Sequence, residues 1–211
     1  MEQDMVQVPG KPGQFYIPST GRVQKVFELY EEDIYDSVQV PTGLQSNGNK
    51  IDFFSDMANK KEQHTNVKTA ARLPSHWKMK LTRIGFAVRQ LYAATPTVFA
   101  DTLKIYEAYA LDFKLGTRQI AKGPCVKYQS GYGITGVSTE SDSTVLNSGV
   151  PSQAAAPKLA ETQDIDDQTD INVSLIFGGA TWQTVTTAPT LSSTVIGTCY
   201  LHGIIAKPVG T

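Results

Sequence analysis

The sequence predicts an all-β sandwich, with strands in two antiparallel sheets and one helix inserted in a connection. Runs of alternating apolar and polar residues recur from end to end, and the clearest are Ile171–Phe177 and residues 111–115. Because successive side chains of a strand point to opposite faces of a sheet, such runs indicate strands with one buried face. Nothing in the sequence that resembles a catalytic centre accompanies them. The sequence therefore predicts a protein that acts through its shape and its surface.

The composition permits one large domain with a substantial core. The chain has 211 residues, of which 40% are hydrophobic and 18% charged, and its net charge is −1. A nearly neutral chain is a poor candidate for nucleic-acid binding as its main activity. The first residues are acidic and no apolar segment follows them, so we expect no signal peptide.

The cysteine content agrees with synthesis in a reducing cytoplasm. Cys125 and Cys199 are the only cysteines. They could pair, but a disulfide scaffold would need more cysteines, so two buried free thiols are the favoured interpretation.

The first 22 residues are predicted to form an extended N-terminal arm, and residues 23–211 a single domain. Proline and glycine recur throughout the arm, which argues against its packing on itself. Phe15, Tyr16 and Ile17 form an apolar cluster within it. We expect these three residues to be an assembly element that becomes ordered on contact with a neighbouring molecule.

Four strands are predicted in the first half of the domain. Three cover residues 23–30, 38–41 and 51–54, and the fourth covers residues 78–92. In the fourth strand the apolar positions change parity, from Trp77, Met79 and Leu81 to Ile84, Phe86 and Val88. A slip of one residue moves the buried set to the other face, so a bulge is predicted near Thr82-Arg83.

The second half contains the one break in the β pattern. Apolar residues recur at helical spacing over residues 96–110, which predicts a helix of about three turns before the strand at 111–115. Residues 137–170 are small and polar, and they are predicted to be a long loop with at most one short strand at 144–146. The run 195–209 is apolar on both faces, which predicts a central strand.

Four carboxylates lie close together before the strand Ile171–Phe177. They are Asp164, Asp166, Asp167 and Asp170. Oxygen-rich clusters bind Ca²⁺ when carboxylates converge from a tight loop, so these residues are a weak calcium candidate. The spacing lacks the glycine and the distal glutamate of a helix-loop-helix site, and a solvated acidic turn is the favoured interpretation.

Other motifs give no support for catalysis. A G-x-G-x-x-G spacing begins at Gly131, but no helix signal follows it, so loop glycines are favoured over a dinucleotide site. His64, His76 and His202 are far apart, and His202 lies in an apolar strand, as a core or interface histidine would. We therefore predict no enzymatic activity, no cofactor, no metal and no small-molecule substrate.

A basic stretch lies in the first half of the domain. It comprises Lys60, Lys61, Lys68, Arg72, Lys78, Lys80, Arg83 and Arg89. These residues could face nucleic acid, lipid head groups or the acidic residues 31–33 of a neighbour. Scattered, solvated charge is the favoured interpretation.

Three stretches resemble the jelly-roll capsid proteins of tailless icosahedral DNA bacteriophages. They are residues 66–77 before the long strand, the helix-to-strand junction within 96–116, and the closing strand 200–209. The resemblance implies a jelly-roll virion shell subunit made in the host cytoplasm. Many lipid-containing shells use two jelly rolls per subunit, but 211 residues with a long arm are short for two, so one jelly roll of about eight strands is expected. Its partners would be copies of itself in capsomers and other virion proteins. Membrane lipid or genome would meet the inner face of such a shell.

One departure from small single-jelly-roll shells concerns the arm. Many such subunits neutralise their genome with an arginine-rich arm, whereas Lys11 and Arg22 are the only bases in residues 1–22. Packaging by this arm is therefore not expected, because phosphate neutralisation needs many cations. The alternative function is a carbohydrate- or receptor-binding β-sandwich, such as a phage spike or a lectin-like module, with its site in the polar loop 137–170.

Overall fold

The computed structural model describes residues 6–7, 14–16, 27–44, 48–90, 99–129, 156–177 and 190–208. Its strands are β1 (Val6–Gln7), β2 (Gln14–Tyr16), β3 (Phe27–Val40), β4 (Gly43–Leu44), β5 (Lys50–Phe53), β6 (Lys78–Gln90), β7 (Tyr109–Leu115), β8 (Arg118–Pro124), β9 (Lys158–Asp166), β10 (Ile171–Phe177), β11 (Thr190–Leu191) and β12 (Val195–Pro208). An α-helix, α1 (Phe99–Ala108), precedes β7, and a 3-10 helix (Cys125–Tyr128) follows β8.

Two antiparallel sheets form a sandwich. The larger sheet has the order β1-β2-β3-β12-β6-β9 and the smaller sheet the order β5-β10-β7-β8, while β4 and β11 form a separate pair. The eight strands of the sandwich can be numbered 1 to 8 along the chain, as β3, β5, β6, β7, β8, β9, β10 and β12. In these numbers the four strands β3-β12-β6-β9 of the larger sheet have the order 1-8-3-6, and the smaller sheet has the order 2-7-4-5. This order is the double Greek key of a jelly roll, so the predicted all-β jelly-roll sandwich is confirmed.

The two sheets enclose one apolar core. The inward positions of β7 and β10 are buried as their alternation predicts, and they include Leu111, Phe113, Ile171, Val173, Leu175 and Phe177. Phe86 of β6 lies at the centre, with its ring edge-on to Phe53 at 6.3 Å and to Tyr106 at 5.8 Å between centroids. A side-chain Cβ at Gly197 would lie 3.1 Å from the Phe86 ring, so glycine at this position makes room for the ring.

The predicted bulge in the long strand is present. Arg83 pairs with His202 while Leu81 pairs with Gly203, so Thr82 is the extra residue on β6. The parity change follows, because Met79, Leu81, Ile84, Phe86 and Val88 are all buried. A Cβ on Gly203 would lie 2.2 Å from the Lys80 carbonyl oxygen, and only glycine lets the two backbones approach this closely.

Three predictions about the chain's organisation need correction, and the first concerns the opening strands. Of the strands predicted at 23–30 and 38–41, residues 27–30 and 38–40 are parts of one strand, β3, which pairs with β12 from Phe27 to Val40, and residues 23–26 lie outside the described part of the chain. The polar residues in its middle obscured this continuity. Glu31 and Asp33 lie on the face that points away from the core, whereas Asp36 is buried and is neutralised by Lys60.

The predicted loop 137–170 contains a strand of the larger sheet. β9 covers Lys158–Asp166 and pairs with β6, from Lys78↔Asp166 to Arg83↔Lys158. The polar composition of this segment predicted a loop. An edge strand, however, tolerates charged side chains along most of its length. The short strand predicted at 144–146 lies outside the described residues.

The arm is not merely extended. β1 pairs with β2, and β2 then pairs with the start of β3 through Gln14↔Glu28 and Phe15↔Phe27. Part of the arm therefore does pack on itself, contrary to the prediction. The pairing of β2 with β3 has a simple cause, because the outer edge of β3 offers unpaired backbone groups that another strand can satisfy.

The predicted helix is present with shorter bounds. α1 covers Phe99–Ala108, and Tyr109 already belongs to β7; residues 96–98 lie outside the described part of the chain. Fully buried Asp101 accepts hydrogen bonds from the Ser192 and Ser193 amides at 2.9 and 2.8 Å and from Lys104 at 3.1 Å. Burial raises the pKa of this carboxyl, but the hydrogen bonds from Ser192, Lys104 and Ser193 outweigh it and hold the pKa below its usual range. The carboxylate thus ties α1 to the segment that leads into β12.

Both cysteines are buried free thiols, as predicted. Burial raises the pKa of Cys125 and of Cys199 far above the usual thiol range, so neither forms a thiolate near neutral pH. Cysteine reagents should therefore leave both residues unmodified in the folded protein.

Truncating the central aromatic side chain tests the core. Phe86→Ala should lower the free energy of unfolding by roughly 3–5 kcal/mol, the range for a buried aromatic residue. The matched control is Lys80→Ala on the exposed side of the same strand, which should change stability by at most about 0.5 kcal/mol. Denaturant melts of both variants measure the difference, and equal midpoints would contradict the assignment of the β6 faces.

Candidate functional site

The larger sheet has a side that points away from the core, here called the outer face. Residues alternate along each strand, so the buried positions of β3, β12 and β6 fix which side chains lie on it. Ile34 and Leu201 point into the core, and their neighbours Asp33 and His202 therefore point outwards. On β6, the bulge places Lys80 and Arg83 on the same outer face.

Two rows of side chains cross this face at right angles to the strands. The first row runs from Glu31 on β3 through Ile204 on β12 to Lys80 on β6. The second row runs from Asp33 through His202 to Arg83. In each row an acidic residue lies on β3 and a basic residue on β6, with β12 between them. We call these two rows the charge rows.

The second charge row is partly held together by direct contacts. His202 is 5% exposed, and its Nδ1 lies 2.7 Å from Asp33 Oδ1. Its ring stacks on Tyr200 with the centroids 6.0 Å apart. Arg83 donates from Nη1 to the Ala156 carbonyl oxygen at 3.0 Å. The histidine that the sequence indicated as a core or interface residue is thus a buried side chain on the outer side of the sheet.

The first charge row has an apolar centre. Ile204 is 43% exposed, and Leu29, which lies on β3 opposite Ala206 and diagonal to Ile204, is 40% exposed. Exposed Glu31 lies beside them on β3, and exposed Lys80 lies on β6. The first charge row thus has an aliphatic centre between an acidic and a basic residue.

The basic residues singled out in the sequence do not form one patch. Lys78, Lys80 and Arg83 share the outer face with acidic neighbours, because Asp166 and Asp164 on β9 pair with Lys78 and Lys80. Arg72 binds Asp170 at 2.7 Å, and Lys60 binds Asp36 at 2.7 Å. The side chain of Arg89 lies outside the described part of the structure. The interpretation as scattered charge therefore fits better than that of a basic groove.

The four carboxylates of the calcium candidate have separate partners. Asp166 accepts hydrogen bonds from the Gln168 amide and the Thr169 hydroxyl, which closes the turn between β9 and β10. The Thr169 hydroxyl is the main cause that holds the pKa of Asp166 below its usual range. Asp167 accepts from the His76 amide at 2.5 Å, Asp170 binds Arg72, and Asp164 is exposed on β9. Within the described ranges, no group of three or more His, Cys, Asp or Glu residues is arranged to hold a metal ion.

A buried ion pair that the sequence analysis missed lies at the edge of β3. Asp36 is fully buried, and both of its oxygens accept from Lys60 Nζ, at 2.8 and 2.7 Å. The same carboxylate accepts from the Phe54 amide at 2.6 Å. Asp36 stands at an inward position between Ile34 and Val38, and a charge on the apolar parity of a strand is the signal that could have revealed it. This side chain joins the larger sheet to the segment that follows β5.

An open pocket of about 510 Å³ lies beside this ion pair. It is lined by Tyr35, Met57, Lys60, Lys61, Glu62, Thr65, Asn66, Val67 and Lys68. Most of its polar groups are engaged within the protein, since Lys60 binds Asp36 and Asn66 accepts from the Tyr35 amide and donates to the Asp33 carbonyl. These contacts attach the segment after β5 to the edge of β3, and they leave few polar groups of the pocket available to bind a ligand.

The remaining predicted sites have the following places. Phe15 and Tyr16 lie in β2, and Ile17 lies outside the described residues. The glycine motif that begins at Gly131 also lies outside them. In the part of the chain that the structure describes, no helix is long and apolar enough to cross a membrane.

Comparison with known proteins gives no match. No family model, no curated protein and no solved structure is significantly similar to this chain.

Removing the cation from the buried ion pair should be costly. Lys60→Met should lower the free energy of unfolding by about 3–5 kcal/mol, because it leaves Asp36 as a buried charge without its counterion. Adding Asp36→Asn should recover part of this loss, since asparagine is neutral and can still accept from the Phe54 amide. The matched control is Lys50→Met in the exposed pair with Asp52, which should cost about 0–1 kcal/mol. Denaturant melts of these three variants and the parent measure these effects, and equal losses for Lys60→Met and Lys50→Met would refute the role of burial.

Proposed function

We propose that the protein is a structural subunit of an icosahedral viral shell. The observation that carries the proposal is the jelly-roll strand order, in a domain whose outer face has an apolar centre between charges of opposite sign. Jelly rolls serve as viral capsid domains, lectins and cupins, so the surface and the interior have to distinguish these classes.

The interior favours a structural role over a cupin-type enzyme. Cupin chemistry needs histidines and a carboxylate clustered inside the barrel. Here the rings of Phe53, Phe86 and Phe113 fill the space between the sheets. His202 points to the outer face, and the other two histidines lie in the segment between β5 and β6.

The N-terminal arm supplies a means of joining subunits. β2 adds to the edge of β3 through main-chain pairing, which is the mode by which many proteins capture an extended segment. Such pairing is independent of most side chains, so an arm can transfer it to an equivalent edge on a neighbour. In the proposed shell, the arm exchanges between subunits and becomes ordered there.

Particle formation tests the proposed function. Purified full-length protein should form rings or closed particles, seen by mass photometry and negative-stain electron microscopy. A protein that stays monomeric at every concentration and binds defined sugars on a glycan array would contradict the shell and support the lectin-like alternative.

Deleting the arm should separate assembly from folding. Removal of residues 1–22 takes away β1 and β2 but leaves the eight strands of the sandwich, so the β signal in circular dichroism should persist. Particles should be lost, because the outer edge of β3 no longer receives its strand. The matched control removes only residues 1–5, which leaves β1 and β2 in place, and it should assemble normally. If the longer deletion still gives particles of normal size and yield, the arm is not the assembly element.

A further inference from the structure

We infer that the outer face is a two-fold contact between copies of this chain. The inference deepens the proposed function and rests on it, because it assigns the surface through which two shell subunits meet. It starts from the charge rows, in which Glu31 and Asp33 lie on β3 and Lys80 and Arg83 lie on β6.

The polarity of the charge rows makes the face complementary to itself. Neighbouring strands are about 4.8 Å apart, so β3 and β6 flank β12 at equal distances on its two sides. A two-fold axis that runs along β12, in the plane between two copies, places β3 of one copy over β6 of the other. Glu31 then faces the partner's Lys80, Asp33 faces the partner's Arg83, and Ile204 faces itself. Such a contact is isologous, as in most closed assemblies.

The other in-plane axis does not give this match. An axis across the strands would place β3 over β3 and β6 over β6, so acidic residues would face acidic residues. Like charges in an interface are strongly unfavourable, and this arrangement is therefore excluded by the charge rows themselves. The observed pattern selects one orientation for the pair.

Ile204 and Ala206 lie along the two-fold axis at the centre of the contact, where water must be expelled, and Leu29 lies beside them, over the partner's Lys78. Leu29 and Ile204 are the two exposed large apolar residues of the outer face among the described residues, and Ala206 lies between Leu29 and Lys78 in the next row. Asp164 and Asp166 on β9 lie at the rim. A core of aliphatic residues with a charged rim is the usual anatomy of an interface.

The size of the face sets the expected strength. Four strands and about seven residues of length cover on the order of 400 Å². A stable isolated pair buries about 800 Å² per partner, so this contact should be weak in solution. In a shell, many copies of this weak contact act together with arm exchange, and their combined strength is sufficient to hold the subunits together.

Cross-linking tests the predicted self-contact of Ile204. Ile204→Cys places a thiol next to the two-fold axis, and facing sheets lie about 10 Å apart, so a bis-maleimide of that span should join two copies. The control is Val126→Cys on the 3-10 helix, which is more exposed at 53% but lies outside the charge rows and should not cross-link. The native Cys125 and Cys199 are buried and should give little background.

Charge reversal tests the orientation. Lys80→Glu and Glu31→Lys should each reduce cross-linking of the Ile204→Cys protein by about tenfold, because each puts like charges opposite one another. The double variant Lys80→Glu/Glu31→Lys should restore cross-linking, because each acidic residue then again faces a basic residue of the partner. Lys127→Glu, outside the charge rows, is the matched control, and thermal melts verify that every variant is folded.

The outcomes separate this inference from the proposed function. Particles without a cross-link at Ile204, or charge reversals that do not rescue each other, would overturn the two-fold contact and leave the shell function standing. Cross-linked pairs that follow the charge rule would support the contact. The same pairs without any particles would still support it and would count against the shell.

Discussion

The inserted residue on β6 opposite Gly203 is the constraint on which the rest of the structure depends. Without it, the apolar residues before and after Thr82 would lie on opposite faces, because side chains alternate along a strand. The bulge brings Leu81 and Ile84 to the same side, into the core. By the same step it brings Lys80 and Arg83 together on the outer face. The core and the charge rows are therefore two consequences of one local feature.

Gly203 and Thr82 make this bulge possible in different ways. Glycine is required because the Lys80 carbonyl oxygen occupies the space of a Cβ. The Thr82 hydroxyl donates to the His202 carbonyl at 3.1 Å, which satisfies a backbone group at the point where the ladder is interrupted. The two strands can thus stay paired on both sides of the insertion. The long central strand β12 remains bonded to β3 and β6 almost throughout.

The edge of β3 shows how the sandwich protects a strand that lacks a full-length neighbour. β2 covers its start, and at Tyr35 the Asn66 side chain accepts from the backbone amide at 2.9 Å. Asp36 turns its carboxylate inwards to Lys60, and acidic residues occupy the strand between these points. Charged and covered edges discourage uncontrolled strand addition. In the proposed shell, strand addition at this edge would then be limited to the N-terminal arm.

The sequence allowed the fold to be predicted where apolar alternation was strong. Ile171–Phe177, the helix before β7 and the parity change around Thr82 were all visible, because each depends on the spacing of buried side chains. β9 and the continuity of β3 were not visible, because edge strands need few apolar residues and their pairing depends on partners distant in the chain. The charge rows could not be predicted either, since they join three strands whose register only the folded sheet defines. Of the candidate site residues, the acidic cluster at 164–170 was visible as a motif, but its division among Arg72, His76 and a turn was not.

Deletion of Thr82 is the measurement that tests most directly whether the bulge organises the molecule. The deletion removes the extra residue and forces either Met79 and Leu81 or Ile84, Phe86 and Val88 to face outwards. The loss of burial should remove a large part of the roughly 5–15 kcal/mol that stabilises a typical domain, so the variant should unfold at a much lower denaturant concentration than the parent or show no cooperative transition. Thr82→Ala keeps the residue count and should melt cooperatively, with only the hydroxyl contact to His202 lost. If the deletion variant unfolds cooperatively at the same denaturant midpoint as Thr82→Ala, the bulge does not determine the two faces of β6.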